Sequence, residues 1–394
     1  MASGSRKPRV RLLIDGQAVP CVQASVQVSR HPRADTFTAV APLASSGRSL
    51  EYWSNVGPVE CIVQACNDVD EGWVELLSGQ LDRCVVRGEF AGGVRVELSG
   101  RDKTAKLLDA RRTRKDSNKK ASDIVKDLAQ QHGLDADVDE SDSDAGKIHT
   151  DETAHLIDND TDWNVISRLA EREGVFHFLK GNTLYFKKPG NDDVGFGKFP
   201  IRFTPPSRGR KARGNVMDIT LVQNVHLNRG VKQTVRSFHT RKEKNICTTK
   251  EAQAAGYGQP LEWIDHIPGL TDAQVEQVAT KKQLEKQRHE MGLQVTMPGD
   301  VTIDPRMMLE VSGTGSSWDQ DYHIDTINHS FGPLEGYLMT IAGKNAKGGE
   351  GGGQDSGAGG GTPTGAAAGA SGTVQGPPAP ISGAPLPPSR PAGL

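Results

Sequence analysis

Three titratable residues alternate along one predicted strand, and their types could support acid–base or metal chemistry. Asp321, His323 and Asp325 are two residues apart, so a strand would place them on one face of its sheet. A histidine between two carboxylates can transfer a proton or bind a cation. The intervening side chains are more apolar. We therefore predict that the apolar set faces the core and that the charged set faces solvent or a neighbouring subunit.

An acidic run at residues 135–144 has only part of the pattern of a calcium-binding loop. Asp135, Asp137 and Asp139 have the alternate spacing of carboxylate ligands, but no glycine occupies the sixth position and no glutamate the twelfth. The sequence therefore predicts no metal site in this run.

The other short motifs favour structural roles. The stretch Gly313-Thr314-Gly315 matches the start of a dinucleotide-binding fingerprint, but the third glycine is missing and a strand is predicted to follow it. The sequence has no signature of a serine hydrolase, a zinc protease or a phosphate-binding loop. Four scattered histidines have no carboxylate or cysteine at a fixed spacing: His226, His239, His266 and His289. We therefore predict no catalytic residue, no cofactor site and no metal site, and we expect the protein not to be an enzyme.

The overall charge argues against a dedicated nucleic-acid-binding protein. The 394 residues include 47 basic and 49 acidic side chains, which gives a net charge of −2, whereas such proteins usually carry a basic face. One basic run is interpreted as a solvated linker, with contact to an acidic neighbouring subunit or to DNA in transit as the alternative. Its members are Arg111, Arg112, Arg114, Lys115, Lys119 and Lys120.

Cysteine spacing and hydropathy indicate where the chain is made. The five cysteines have no CxxC spacing, which favours buried free thiols formed in a reducing cytoplasm. No apolar run approaches the roughly 20 residues that span a bilayer, and the N-terminus has no apolar signal-peptide core. We expect no membrane-spanning segment. The cysteines are Cys21, Cys61, Cys66, Cys84 and Cys247.

The hydrophobic patterning predicts an α+β, mainly β fold in three structured parts with a tail. Residues 1–100 contain six or seven short predicted strands, typical of a β-barrel. Residues 101–192 are predicted to form a small α/β domain. Residues 193–345 are predicted to form a second, similar β-barrel with an inserted helical segment at about 250–292. The Gly/Pro-rich residues 346–394 cannot bury enough apolar surface to offset chain entropy, so we predict a disordered tail.

Local signals define several elements within these parts. The pair Asp15-Gly16 lies between two alternating runs, at 10–14 and 22–28, and predicts a hairpin that joins them. Ser122 is a predicted helix N-cap. Thr271 begins a capping box that predicts a long helix to about Met291, ended by a glycine. Because the apolar stripe of that helix is thin, we expect it on a surface or at a subunit interface.

Residues 158–189 contain a complete helix–hairpin unit. Asp160 or Thr161 is a predicted N-cap, an apolar face begins at Trp163, and Gly174 ends the helix. The apolar period then falls to two on both sides of a Gly181-Asn182 turn. This unit contains no obvious catalytic group, so we interpret it as a scaffold.

Three parts of the sequence resemble the baseplate hub of long-tailed phages, a family that includes the Mu-type hub and the late control protein D group. The helix–hairpin unit has the order DxxWxxIxRLAxREG followed by an aromatic hairpin. The order of elements fits the family from about residue 8 to 345. The second matching part is LSGRDKTAKLLD at 98–109, and the third is YHIDTINH at 322–329 followed by GYLMT at 336–340.

The resemblance implies a structural baseplate hub in the virion, made as a late protein in the host cytoplasm. Such a hub is a homotrimer in which two similar barrels per chain imitate six-fold symmetry. It would act as a symmetry adapter between a six-fold tail tube and a three-fold spike or tip. The implied partners are other copies of the chain, the tail tube protein, the spike or tip protein, baseplate wedge proteins and the tape-measure protein. DNA would pass through its channel on ejection.

Two alternatives remain open at this point. One is the hub subunit of a type VI-like or tailocin injection device, which would use the same fold in another machine. The other is a peptidoglycan-binding or cell-wall hydrolase tail protein, with residues 101–190 as a module similar to LysM. A trimer mass favours a hub, whereas a monomer that clears peptidoglycan favours the hydrolase.

Overall fold

The computed structural model of the protein describes residues 7–30, 32–68, 72–89, 93–113, 119–141, 160–188, 197–239, 244–251 and 259–346. All of them belong to one compact unit, which comprises residues 1–352. The predicted tail lies outside the described residues apart from Ala346.

Seven strands make up the first β region, with a short helix, α1 (Leu50–Asn55), between two of them. The strands are β1 (Arg9–Ile14), β2 (Gln17–Pro20), β3 (Gln23–Ser29), β4 (Thr36–Pro42), β5 (Glu60–Cys66), β6 (Val74–Glu89) and β7 (Gly93–Asp102). Their order in the sheet is β2-β1-β5-β6-β7-β4-β3, and neighbouring strands are antiparallel. Alternating apolar side chains such as Leu12 and Ile14 are fully buried, which is why these runs form strands with one face in the core.

The predicted turn at Asp15-Gly16 is present, but it joins different strands from those predicted. Both residues have positive φ angles, 51° and 76°, as a two-residue hairpin turn of this hand requires. The turn connects β1 to β2, whereas β3 pairs with β4. The predicted hairpin between runs 10–14 and 22–28 is therefore wrong, because the short strand β2 takes the place beside β1.

A small α/β module follows the first β region. Its elements are α2 (Thr104–Asp109), β8 (Arg111–Arg112), α3 (Ala121–Gln131), β9 (Asp135–Val138), β10 (Asp160–Thr161), α4 (Asp162–Glu173), β11 (Phe176–Lys180) and β12 (Thr183–Lys187). β11 and β12 form the predicted hairpin, and β9 lies parallel to β12. The module has its own apolar core, to which α3, α4 and the hairpin all contribute.

The ends of α4 confirm the predicted capping, whereas the start of α3 does not. Thr161 accepts a hydrogen bond from the Asn164 backbone N–H, and Gly174 ends α4 with a φ of 68°. At α3 the N-cap is Lys120, which makes no side-chain cap. Ser122 lies inside the first turn and is buried, with its backbone N–H donating to Ser141 Oγ at 3.1 Å. Tertiary contact with Ser141 replaces the cap expected from the local sequence.

The rest of the described chain contains ten strands and one long helix. They are β13 (Lys198–Thr204), β14 (Arg213–Gly214), β15 (Asp218–Gln223), β16 (Val231–His239), β17 (Lys244–Glu251), β18 (Leu261–His266), α5 (Asp272–Gln287), β19 (Met291–Pro298), β20 (Met308–Ser312), β21 (Asp321–Gly332) and β22 (Gly336–Asn345). Seven of these strands form the second β region in the order β14-β13-β20-β21-β22-β19-β15.

Residues 224–290 are inserted between two adjacent strands of the second β region. β15 and β19 pair along their length, and the insert leaves and re-enters the sheet between them. Within the insert, α5 packs on a three-stranded sheet with the order β17-β16-β18. The insert therefore begins before the predicted residue 250 and contains a sheet as well as a helix.

The boundaries and surroundings of α5 differ in part from those predicted. The capping box between Thr271 and Gln274 is present. The helix ends at Gln287 and not near Met291, because Met291 is already the first residue of β19. One face packs on the insert sheet, and the buried Gln274 side chain donates to Glu173 of α4 at 2.9 Å. The helix therefore connects the insert to the α/β module within one chain.

The two β regions are joined into one continuous sheet of 14 strands. The joint is an antiparallel pairing between β3 and the second half of β21, in register from Thr326 opposite Ser29 to Phe331 opposite Ala24. Side chains of both regions share one apolar core. The mainly β prediction is confirmed. Two separate closed barrels are not, since the sheet of the described residues ends at β2, β14 and β15.

Candidate functional site

The titratable residues of β21 are not arranged as the sequence predicted. His323 is buried, with 4% of its surface exposed, next to the buried Tyr322 and Ile324. A β-bulge at Asp325 also interrupts the alternation. We predicted that this set faces solvent or a neighbouring subunit; His323 instead faces other parts of the same chain. One face of β21 packs on the apolar core, and the other face packs on polar residues from other parts of the chain. The alternation of residue types within β21 gives no information about that second set of contacts.

Each of the three residues has a separate partner. Lys198 donates to Asp321 at 2.7 Å, and Lys344 lies 2.5 Å from Asp325. Arg30 Nη1 lies 3.1 Å from His323 Nδ1, and a guanidinium can only donate, so the ring nitrogen is the acceptor in this contact. Ion pairing of each carboxylate with its own lysine is a structural arrangement, and it contains no aligned proton relay.

The acidic and basic runs are also used in contacts within the chain. Asp137 and Asp139 lie 2.7 and 3.3 Å from Lys187, and Arg112 lies 3.4 Å from the buried Asp162. No group of three or more metal-ligating side chains occurs among the residues that the structure describes. Positions 142–144 of the acidic run, and Arg114 and Lys115 of the basic run, fall outside those residues.

All five cysteines are free thiols, as predicted. Burial raises the pKa of the Cys61 thiol to about 12, so that thiol stays protonated and unreactive near neutral pH. Cys61 and Cys66 are buried as predicted, whereas Cys21 and Cys84 are half-buried and Cys247 is exposed. The helices of the described chain include none of the length and apolarity that crossing a bilayer requires.

The surface best suited to contact with another chain is the outer edge of β15. Within the described structure this strand pairs with β19 alone, so its other edge presents unpaired backbone groups. Three apolar side chains at this strand are well exposed: Met217 directly before it at 64%, Val222 within it at 45% and Val225 in the turn after it at 72%. Exposed apolar groups on a free strand edge are typical of an interface.

The sequence predicted the β15 strand but missed this surface. The inward residues Ile219 and Leu221 follow the expected alternation and pack against the core. Val222 interrupts that alternation, which was the available signal for a second apolar face.

A second free edge lies on the outer half of β6 and is polar. In the part of the chain that the structure describes, β5 pairs with β6 only up to Gln80, and residues 83–89 pair with β7 alone. Cross-strand ion pairs link Arg87 to Glu97 at 2.7 Å and Arg95 to Glu89 at 2.9 Å. Charges at an edge disfavour uncontrolled strand addition, so this edge can stay exposed until one specific strand pairs with it. We call residues 83–89, together with residues 93–99 of β7 that pair with them, the β6 arm.

The fold is similar to that of several solved tail proteins. A tail protein from Neisseria meningitidis MC58 has a TM-score of 0.65 at 15% identity, and the match covers 86% of this chain and 97% of that one. The 43 kDa tail protein of prophage MuSo2 from Shewanella oneidensis has a TM-score of 0.57 at 17% identity, covering 86% and 96%. At these identities the likeness concerns the fold.

A third similar structure comes from a secretion machine. It is a component of the E. coli type VI secretion system, described as similar in structure to the T4 bacteriophage tail proteins gp27 and gp5. Its TM-score is 0.50 at 13% identity, and the match covers 84% of this chain and 76% of that one. The chain therefore has a fold found in phage tail proteins and in a type VI component.

Sequence comparison gives one family. No curated protein matches the chain. A family model described as the Alg8 N-terminal domain matches residues 78–332, which is more than half of the sequence. That description differs from the hub family suggested by the motifs. The chain belongs to the Alg8 N-terminal domain family.

Proposed function

We propose that this protein is a structural hub subunit of a phage-type tail, acting as a homotrimeric symmetry adapter between a six-fold tube and a three-fold spike or tip. The observation that carries the proposal is the presence of two seven-stranded β regions, joined edge to edge, in one chain. Three such chains supply six β regions around one axis, and so present six-fold and three-fold symmetry together. The likeness in fold to two phage-type tail proteins supports this role.

In this proposal, neighbouring chains are joined by strand pairing, as the two β regions are joined within one chain. The in-chain joint uses main-chain pairing of β3 with β21. The free apolar edge of β15 would meet the first β region of the next chain, where the outer half of β6 has a free edge. Strand pairing would fix the orientation of the two chains, and burial of Met217 and Val222 would add apolar area to the interface.

The proposed partners follow from this position in a tail. The ring would contact the tail tube protein on one face and the spike or tip protein on the other, with baseplate wedge proteins around it. The tape-measure protein and then DNA would pass along its axis. The protein would reside in the virion baseplate.

The test is the oligomeric mass of the full chain, alone and with its tube partner. A triple variant with lysine at Met217, Val222 and Val225 places three charges on the β15 edge and is expected to remain monomeric with unchanged circular dichroism. The matched control places lysine at Val22 and Leu334, which are also exposed but lie away from that edge, and it should still trimerise. A copy number that is not a multiple of three in purified particles contradicts the adapter.

A second candidate is the hub of a type VI-like or tailocin injection device. The likeness to the E. coli type VI component favours it. Both candidates require the same ring, and they differ in what surrounds it. A reconstruction of purified particles decides between them, since DNA-filled heads attached to the tails identify a phage and headless tubes identify an injection device.

The cell-wall hydrolase alternative has a direct test. Asp321 and Asp325 are each paired with a lysine, which is unfavourable for a general acid or base. We expect no clearing of peptidoglycan on a zymogram. A clearing zone that Asp321→Asn or His323→Ala abolishes would contradict the structural role.

A further inference from the structure

A cavity of about 400 Å³ lies where three parts of the described structure meet. The end of β3 and the strand β21 form one wall, with Arg30 and His323. The α/β module forms the second wall, with Phe176 and Phe178 of β11. Helix α5 of the insert forms the third. Because the three walls come from separate modules, a ligand in the cavity would contact all of them.

The cavity lining has an excess of positive charge. Six lysine or arginine side chains line it against three carboxylates, Glu171, Glu285 and Asp325. Two of the lining lysines already pair with carboxylates, since Lys344 lies 2.5 Å from Asp325 and Lys282 lies 3.1 Å from Asp265, which is outside the lining. The six cations are Arg30, Lys281, Lys282, Arg288, Arg306 and Lys344. Converging cations in a partly enclosed site with apolar walls create a strong positive potential.

Two of these cations, Lys281 and Arg306, are buried, and removing their charges from water costs free energy. Lys281 Nζ donates to the Val175 carbonyl at 2.8 Å, and burial lowers the pKa of its ammonium group. The guanidinium of Arg306 is buried over the Phe178 ring, 3.7 Å from its centroid, and lies 3.7 Å from an Asp304 oxygen. Burial also lowers the pKa of Arg306. An anion in the cavity would offset part of this desolvation cost.

The types of cation present suit a phosphate group. Arg30 is oriented by its contact with His323 Nδ1 at 3.1 Å, and Arg288 lies over the Phe176 ring at 5.5 Å. Planar guanidinium groups bind phosphate oxygens through two parallel hydrogen bonds, and lysines add point charges. The volume of the cavity falls in the range of roughly 300–1,000 Å³ typical of small-molecule sites, and a single phosphate would fill only part of it.

We propose that this cavity binds a small phosphate-bearing molecule larger than inorganic phosphate. The phosphate oxygens would lie among Arg30, Arg288 and Lys344, and the remainder of the ligand would lie against Phe176 and Val278. By contacting three modules at once, the ligand would stabilise their arrangement through linkage. This inference does not depend on the tail role.

The test uses the full chain, calorimetric titration and thermal unfolding at matched ionic strength. Inorganic phosphate, pyrophosphate and AMP are compared, with sodium chloride as the ionic control. Saturable binding of pyrophosphate or AMP with a rise in Tm is expected. Tighter binding of AMP than of pyrophosphate identifies a nucleotide source, and the reverse order identifies an inorganic one.

A matched pair of double variants locates the binding. Arg30→Gln with Arg288→Gln removes two cavity charges and should weaken binding by roughly tenfold or more. Arg87→Gln with Arg95→Gln removes two charges from the β6 arm and should leave it unchanged. If the first double variant does not fold, Arg288→Gln alone replaces it, because Arg288 is only half-buried.

Three results would overturn the proposal. One is the absence of saturable binding at millimolar ligand. Another is equal weakening in both double variants. The last is binding of duplex DNA at the same phosphate concentration as strongly as AMP, since that result indicates a general electrostatic field and not a site.

Discussion

The two β regions have the same number of strands but are encoded differently. The first occupies a nearly continuous stretch from Arg9 to Asp102, whereas the second is interrupted by the 224–290 insert. The insert causes no break in the sheet, because β15 and β19 are antiparallel neighbours and any length of chain can connect their adjacent ends. The insert also has its own core. A sheet can therefore accept a folded module at a hairpin position without losing its register.

The free edges of the two regions differ in chemistry. The β6 arm presents cross-strand ion pairs, whereas the β15 edge presents Met217, Val222 and Val225. Similar β regions with unlike edges are suited to head-to-tail contacts, in which each interface joins two different surfaces. Four measurements test how the two regions differ in packing, charge and stability.

The largest effect is expected at the joint between the two regions. Ile327 of β21 is fully buried opposite Val28 of β3. Ile327→Ala should lower the free energy of unfolding by about 2–5 kcal/mol, because a cavity forms in the shared core. Urea unfolding measures this loss, with Leu334→Ala as a near-neutral control. Since the core is shared, both regions should unfold together in one transition. Two resolved transitions in the wild type would show that they are independent.

Alanine substitution at one glycine in each region tests how tightly that region is packed. A Cβ at Gly79 of β6 would lie 1.9 Å from the Arg101 carbonyl oxygen, whereas one at Gly299 would lie 2.3 Å from the Tyr337 ring. A side chain can move aside more easily than paired backbone. Gly79→Ala should therefore be the more destabilising, at about 1–3 kcal/mol or more. Thermal unfolding of the two variants tests this order, and a larger loss for Gly299→Ala would contradict it.

Asp102 should make the stability of the first region depend on pH. Burial raises the pKa of Asp102 to about 7, whereas the unfolded value is about 4. The native state then binds the proton more tightly, so its stability should fall as pH rises from about 4 to 7. Asp102→Asn should flatten this part of the Tm–pH profile while Asn still accepts from Thr104. A profile identical to that of the wild type would exclude Asp102 as the cause.

The smallest effect is expected on the β6 arm. Arg87 and Arg95 are largely exposed, and exposed ion pairs contribute little because solvent and salt screen them. Replacing both by alanine should change the free energy of unfolding by less than about 1 kcal/mol. A larger loss in the isolated chain would show that the arm contributes to folding and is not reserved for contacts.

Local signals predicted most element positions but few of their partners. Thr161, Gly174 and the Thr271 capping box act within one or two turns of a helix, and all three are found as expected. The predicted hairpin partner of β1 and the predicted cap at Ser122 were wrong. In the first case β2 pairs with β1 in place of the predicted run 22–28. In the second case Ser141 accepts from the Ser122 backbone N–H, and the Ser122 side chain does not cap the helix.

The candidate sites show the same division. Sequence spacing placed Asp321, His323 and Asp325 on one strand, and that strand exists. Whether they face solvent depended on α5 and the α/β module, which approach β21 from distant parts of the chain. The basic cavity has no sequence signature, because its six cations come from five separate elements or loops.

Periodicity, capping and composition act over a few residues, so the sequence alone indicated most strands and helices, the mainly β character and the free cysteines. The pairing of β3 with β21 and the core that the two regions share arise only in the folded chain, as do the edges of β6 and β15 that are open in the described structure. Pairing between strands about 300 residues apart in sequence depends on the total fit of apolar faces and backbone hydrogen bonds. No local pattern encodes that fit.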